Sequence, residues 1–307
     1  RSFHVTGVQT CALPILGLVL AMIKRCGLEM PEMISPIESP TVADQQIEHS
    51  ALCGALKGYS SIMSETWTRS WHQVCGRIRQ AEQLAGRAPG AVQLLAVSKT
   101  FSAQAVHELA LAVGQRDFGE NYVQEGVEKI NALTHTEVGP HLVWHCIGPL
   151  QSNKTRSVAE HFHWVHTVDR LRIAQRLSDQ RPAHLPPLQV CIQVNVDGGA
   201  NKSGIAPEQA LELARAVAVL PRLRLRGLMT IPDPVEDDSA QVQLHQRARH
   251  CFEHLGQALA LPHWDTLSMG MSADLEAAIQ AGSTLVRVGT ALFGQRPRGD
   301  EPFPVKS

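Results

Sequence analysis

The sequence predicts an α/β fold, a single (β/α)8 TIM barrel with one helix in front of it. Three observations lead there. From Val92 onward, short apolar strands alternate with helical patterns eight times within about 200 residues, and repeats of that kind close into a barrel. No further block of strands follows the eighth repeat. No Gly-x-Gly-x-x-Gly run opens the first unit, so a dinucleotide-binding sheet lacks its signature. A six-stranded doubly wound sheet would result only if two of the shorter strands were not strands.

The elements follow in order. Over 64–88, Trp67, Trp71, Val74, Ile78, Ala81 and Leu84 recur at helical spacing, and Gly86, Pro89 and Gly90 stop the helix. Strand one is Val92 to Ser98, with a helix over Ala103 to Val113. Strand two is Asp117 to Gly119, and its helix begins near Tyr122 and ends at Leu133. Strand three, Leu142 to Ile147, precedes a helix from Ser152 to Glu160. Strand four, Trp164 to Val168, precedes one from Asp169 to Leu177. Strand five is the longest apolar run, Leu188 to Val196, and its helix is Pro207 to Leu220. Strand six, Leu223 to Met229, leads to a long helix from Ser239 to Ala260, whose histidines and arginines predict a solvated outer face. Strand seven is Thr266 to Ser268 with a helix over Ala273 to Ala281, and strand eight is Thr284 to Val288 with a short turn of helix from Ala291.

Before this lies a stretch of different character. The chain begins at Arg1, and RSFHVTGVQTCALPI resembles translated adaptor sequence. Ala12 to Ile23 is apolar but short for a bilayer and broken by Pro14 and Gly17. Pro31, Pro36 and Pro40 interrupt any period. Residues 1–62 are therefore expected to be a leader outside the working fold, with Met63 as the start of organised sequence, 63–296 as the barrel and 297–307 as a tail.

Composition narrows the function. A net charge of −1 argues against an electrostatic nucleic-acid binder, and 44% hydrophobic with 19% charged residues reads as a soluble globular chain. The seven cysteines are scattered with no CxxC pair, which predicts reduced thiols in a cytoplasmic protein.

A barrel gathers the C-terminal ends of its strands on one face, where the chemistry sits. The first end carries Ser98, Lys99 and Thr100. Lys99 is the best placed of the chain's seven lysines to be partly desolvated, which favours the neutral amine and imine formation. The last two ends suit an anion. Ser272 reads as an N-cap with Asp274 and Glu276 in the helix's first turn, and Gly289-Thr290 offers backbone N–H groups that a ligand can approach closely. A lysine and a phosphate site on one face suit pyridoxal 5′-phosphate (PLP), and they suit aldolase chemistry on a sugar phosphate as well. Arg287, within strand eight, separates the two. A permanent cation beside a pyridine nitrogen would keep it unprotonated and weaken the cofactor as an electron sink.

LLAVSKT (94–100), FGENYVQE (118–125), WHCIGPLQSNK (144–154), HTVDR (166–170), RGLMTIP (226–232), LSMGMSADLEAAI (267–279) and GSTLVRVGTALFG (282–294) occur in order, and together they resemble the YggS/PROSC family of pyridoxal phosphate homeostasis proteins. The resemblance runs from about Met63 to Gly294. It implies a barrel of the alanine-racemase N-terminal type with Lys99 holding PLP as an internal aldimine. By the same resemblance Ser272, Gly289 and Thr290 bind phosphate, Arg287 faces the pyridine nitrogen, Asn121 lies near the ring and His145 lines the pocket. Racemases of this fold take a second base, a tyrosine, from an added β-domain. No such domain is expected here, and the only tyrosines are Tyr59 and Tyr122. The expected role is a monomeric cytoplasmic carrier that passes PLP to apo-enzymes with little or no turnover. The alternative is a fold-type III enzyme, a racemase or decarboxylase.

Other features carry less. His161, His163 and His166 lack a carboxylate or thiol to complete a metal set. His145 and Cys146 point to opposite faces of their strand. Lys202 reads as a solvated loop residue.

Overall fold

The computed structural model describes residues 64–198, 203–233, 235 and 237–294. The expected leader, the tail and Lys202 lie outside those residues. Eight parallel strands form a closed barrel in the order β1 to β8. They are β1 (Gln93–Val97), β2 (Asp117–Glu120), β3 (Val143–Cys146), β4 (Trp164–Val168), β5 (Leu188–Gln193), β6 (Leu223–Met229), β7 (Thr266–Ser268) and β8 (Leu285–Val288). The helices are α1 over 64–84, α2 (Ala103–Val113), α3 (Val123–Leu133), α4 (Thr155–His161), α5 (Leu171–Gln180), α6 (Pro207–Ala218), α7 (Asp238–Leu259), α8 (Leu275–Gln280) and α9 (Thr290–Phe293).

Each apolar run became a strand because it is buried on both sides, by helices outside and by the barrel interior within. Most of the core lies between strands and helices, and Cys146 belongs to it. The interior apolar cluster is small, consisting of Leu95, Val97, Ile147 and Leu285. Leu95 is the register partner of Arg287, and Gly119 of His145, so polar side chains share the inner face with that cluster. His145, His166, Ser268 and Arg287 are all buried. A barrel whose interior is built this way is specified by polar pairing as well as by packing.

Helix α1 buries Trp67, Val74, Ile78 and Ala81, as the periodicity predicts, but Leu84 is 82% exposed. The buried stripe ends at Ala81 because the chain leaves the helix at Leu84 and reverses through Gly86, whose φ of +65° favours glycine. The Glu82 carboxylate then accepts from the amides of Gly90 (3.1 Å) and Val92 (2.8 Å), fixing the entry into β1. Strand five stops at Gln193, three residues early, because Asn195 leaves the sheet to donate to Ile205 O (2.8 Å). The outer face expected for α7 is only partly solvated. His245 is buried and bonded to Asp274 (3.0 Å). Among the described residues no helix is long and apolar enough to cross a membrane. Cys75, Cys146, Cys191 and Cys251 are free thiols, with Cys146 and Cys191 pushed up to about 12 by burial.

Candidate functional site

Closing the barrel sets β1 between β2 and β8, so Lys99 stands between the strand ends that carry Asn121 and Gly289. Lys99 is half-buried, two residues past β1. A Cβ on Gly289 would lie 3.2 Å from Val97 O and 3.3 Å from Val97 Cβ, so only a bare backbone sits this close to β1. Asn121 is fixed from the other side, because its carbonyl approaches Gly148 where a Cβ would meet it at 2.0 Å.

A buried ion network lies beneath the lysine. Ser98 Oγ donates to Glu120 Oε1 at 2.6 Å. Lys129 Nζ donates to Ser98 O (2.7 Å), Glu120 Oε1 (2.7 Å) and Glu125 Oε1 (2.6 Å), which uses all three ammonium protons. Glu125 Oε1 also accepts from the Thr100 amide at 2.6 Å. Thr100 has φ of +69°, a costly region for a β-branched residue, and the surrounding bonds hold it there. Burial pushes Glu120 above its usual range, and Lys129 pulls it partly back. Ser98, Lys99 and Thr100 are thus held on both flanks, at the Ser98 carbonyl and the Thr100 amide. Sequence reading missed Glu120 and Lys129 as site supports. The available signal was Lys129 in phase with Val123, Gly126 and Leu133 on the buried face of α3.

Ser272 and the Gly289-Thr290 turn come together, since the Ala291 amide donates to Ser272 Oγ at 3.4 Å. Ser272 is not the cap that sequence predicts. Helix α8 starts at Leu275, and Asp274 occupies the cap position because its carboxylate is held by the Met271 amide (2.6 Å) and His245 Nε2 (3.0 Å). That leaves the Ser272 hydroxyl in the loop beside α9. Arg77 of α1 grips the same loop from behind through Ser272 O (3.1 Å) and Glu276. A surface cavity of about 300 Å3 beside Arg77, Ala81 and Glu276 contains none of the predicted site residues.

Arg287 lies buried in the barrel, donating from Nη1 to Ser268 Oγ and from Nη2 to Thr230 O, both at 2.8 Å. Burial lowers it to about 10, against the pull of Asp274, so it stays cationic at neutral pH. Beside it the buried Thr230 hydroxyl has no partner within the protein. An orphaned hydroxyl next to a buried cation, an amine at the neighbouring strand end and a glycine turn suit a ligand that brings an aldehyde, a ring acceptor and a phosphate. The residues present therefore fit PLP.

His145 sits apart from this sector. Its Nε2 contacts Asp117 Oδ1 (3.0 Å), its Nδ1 contacts His166 Nε2 (2.9 Å), and its ring stacks on Trp164 at 5.3 Å. Both ring nitrogens thus have protein partners, and the ring is fully buried. His163 accepts from the Trp144 amide and His161 donates to Ser157 O. Among the described residues no group of histidine, cysteine or carboxylate is placed to hold a metal.

The two interior histidines make a prediction about stability. Burial lowers both; Asp117 pulls His145 partly back, and the charges of His145 and Arg287 push His166 further down. As pH falls through 6.5 the unfolded chain takes up protons at these rings while the folded chain does not, so stability falls with pH. Each ring contributes a slope of about 1.4 kcal/mol per pH unit. Urea unfolding should show the loss beginning near pH 6.5, above the carboxylate range. A flat or rising stability from pH 7 to 5 would contradict it.

Comparison with known proteins gives first a class and then a family. Residues 77–297 match the family described as alanine racemase, N-terminal domain, which is the class of barrel seen here. The pyridoxal phosphate homeostasis protein of Pseudomonas aeruginosa is 59% identical over 227 residues, 74% of this chain and 94% of the relative. The protein of that name from Escherichia coli K12 is 57% identical over 224 residues, 73% and 94%. Among solved structures, PipY of Synechococcus elongatus with PLP bound is 37% identical with a TM-score of 0.61, covering 71% of this chain and 100% of that one. The chain belongs to the family of pyridoxal phosphate homeostasis proteins. Alanine racemase of Clostridium difficile, at 15% identity and a TM-score of 0.60, shares the fold alone, over 78% of this chain and 59% of its own.

Proposed function

We propose that this chain binds PLP covalently at Lys99, buffers it and delivers it, with little or no turnover of its own. PLP when bound supplies an aldehyde that an amine captures and a phosphate that backbone N–H groups and a hydroxyl can hold. Lys99 supplies the amine. Ser272, Gly289 and Thr290 hold the phosphate, Asn121 lies beside the ring, and Arg287 faces the ring nitrogen. A permanent cation there opposes a proton on that nitrogen. That weakens the ring as an electron sink, which is compatible with holding the cofactor without turning it over. His145 serves this site from behind rather than touching the ring. We place the protein in the cytoplasm as a monomer, with PLP-dependent apo-enzymes as recipients.

The observation that carries this reading is the β1–β8 pairing, which sets the Lys99 strand end beside Gly289 with Arg287 buried in the adjacent strand. The names of the curated relatives and the PLP in PipY support the same assignment. The test titrates purified full chain with PLP by absorbance and then assays a panel of amino acids for loss of optical activity and for carbon dioxide release. One PLP per chain without steady turnover is expected. Steady turnover dependent on Lys99 would replace the carrier by an enzyme.

A further inference from the structure

A continuous hydrogen-bonded line crosses the barrel interior. It starts at Asp117, the first residue of β2, whose side chain is 19% exposed at the barrel's N-terminal end. Asp117 Oδ1 meets His145 Nε2 at 3.0 Å, His145 Nδ1 meets His166 Nε2 at 2.9 Å, and His166 Nδ1 meets Ser268 Oγ at 3.0 Å. Arg287 Nη1 closes the line on Ser268 Oγ at 2.8 Å. An anion stands at one end and a cation at the other, and the four groups between Asp117 and Thr230 are buried. Trp164 fixes the plane of the first ring by stacking on it at 10°.

The protons in this line have one arrangement when both rings are neutral. An ionised carboxylate only accepts and a guanidinium only donates. His145 must therefore carry its proton on Nε2, toward Asp117, which leaves Nδ1 as an acceptor. His166 must then donate from Nε2, leaving its Nδ1 to accept from the Ser268 hydroxyl. Ser268 in turn presents a lone pair to Arg287. Each link holds one proton and every donor points toward Asp117. In the reverse sense the buried Ser268 proton has no place in the line and turns toward the guanidinium.

We propose that Asp117 is a positioning residue for Arg287, acting across the barrel by ordering His145, His166 and Ser268 so that the guanidinium always meets a lone pair. The ordered line fixes Arg287 in place from the far end of the barrel. The proposal rests on the reading of Arg287 as the group that faces the PLP ring, and it adds three residues that touch no ligand. Asp117, His166 and Ser268 gain a role through Arg287 alone.

The test has one arm without cofactor and one with it. Long-range 1H–15N spectra of 15N-labelled full chain without PLP should show both His145 and His166 in the Nε2–H tautomer. In Asp117→Asn, whose amide no longer demands a donor, His166 should lose that single tautomer although it does not touch residue 117. A His166 signal unchanged by Asp117→Asn, or an Nδ1–H tautomer in the wild type, would overturn the proposal. In the second arm, Asp117→Asn should weaken PLP uptake about tenfold, by analogy with the roughly 10–100-fold lost when an outer partner of a metal-binding side chain is removed. Ser268→Ala cuts the line next to Arg287, so adding Asp117→Asn to it should cost nothing more. Additive losses would overturn the proposal. If wild-type chain takes up no PLP, the reading of the mouth fails, visibly separate from the tautomer result, and the role of the line toward Arg287 fails with it.

Discussion

Lys99→Ala should abolish covalent capture of PLP, so that borohydride leaves no adduct on the chain, while the thermal midpoint stays near the wild-type value. Lys99 is half-buried and belongs to neither apolar cluster, so its loss leaves the packing of β1 intact. The supports beneath it act on its neighbours, Lys129 on Ser98 O and Glu125 on the Thr100 amide, and both survive the change. Phosphate affinity should persist in part, because Ser272 and the Gly289-Thr290 turn are held by β7, β8 and Arg77. A variant that still gives a reducible adduct would mean that a different lysine, such as Lys202, holds the cofactor.

Lys129→Met should have the largest effect on stability. The ammonium is 5% exposed and the Glu120 side chain fully buried, so removing the cation strands a carboxylate in the interior. Breaking one side of a buried pair costs about 3–5 kcal/mol. The Glu120→Gln, Lys129→Met double variant should recover part of that, because the fully buried carboxylate is gone and Glu125, which also loses its partner, is 28% exposed. Chemical denaturation of the two variants measures the difference, and equal losses would show that lost packing rather than a stranded charge is responsible. PLP capture should also fall in Lys129→Met, since Thr100 loses the network that holds it at φ of +69°.

The fold was readable because each strand is a short apolar run closed by polar residues and followed by a 3.6-residue period. Strands β4, β6 and β7 begin and end where the periodicity places them. Where expectation and structure part, a tertiary bond decides. Strand five ends early where Asn195 turns to Ile205, and Asp274 displaces Ser272 from the helix cap because His245 reaches it from α7. The strand ends that the barrel gathers were legible from the periodicity. The distant residues that bond to those ends and to the barrel interior were not. Lys129 is 30 residues from Lys99 in the chain, and Ser268 is 102 from His166; nothing local marks such partners. His145 shows the limit most clearly, since strand alternation places it inside the barrel, but only the structure shows that both of its nitrogens are taken, by Asp117 and His166.

A crystal structure of the wild-type full chain grown with PLP tests the central claim most directly. Density should run unbroken from Lys99 Nζ into the ring, with the phosphate on Ser272 and the Gly289-Thr290 amides and the ring nitrogen toward Arg287. PLP attached elsewhere, or a phosphate lying away from the β7 and β8 loops, would contradict it.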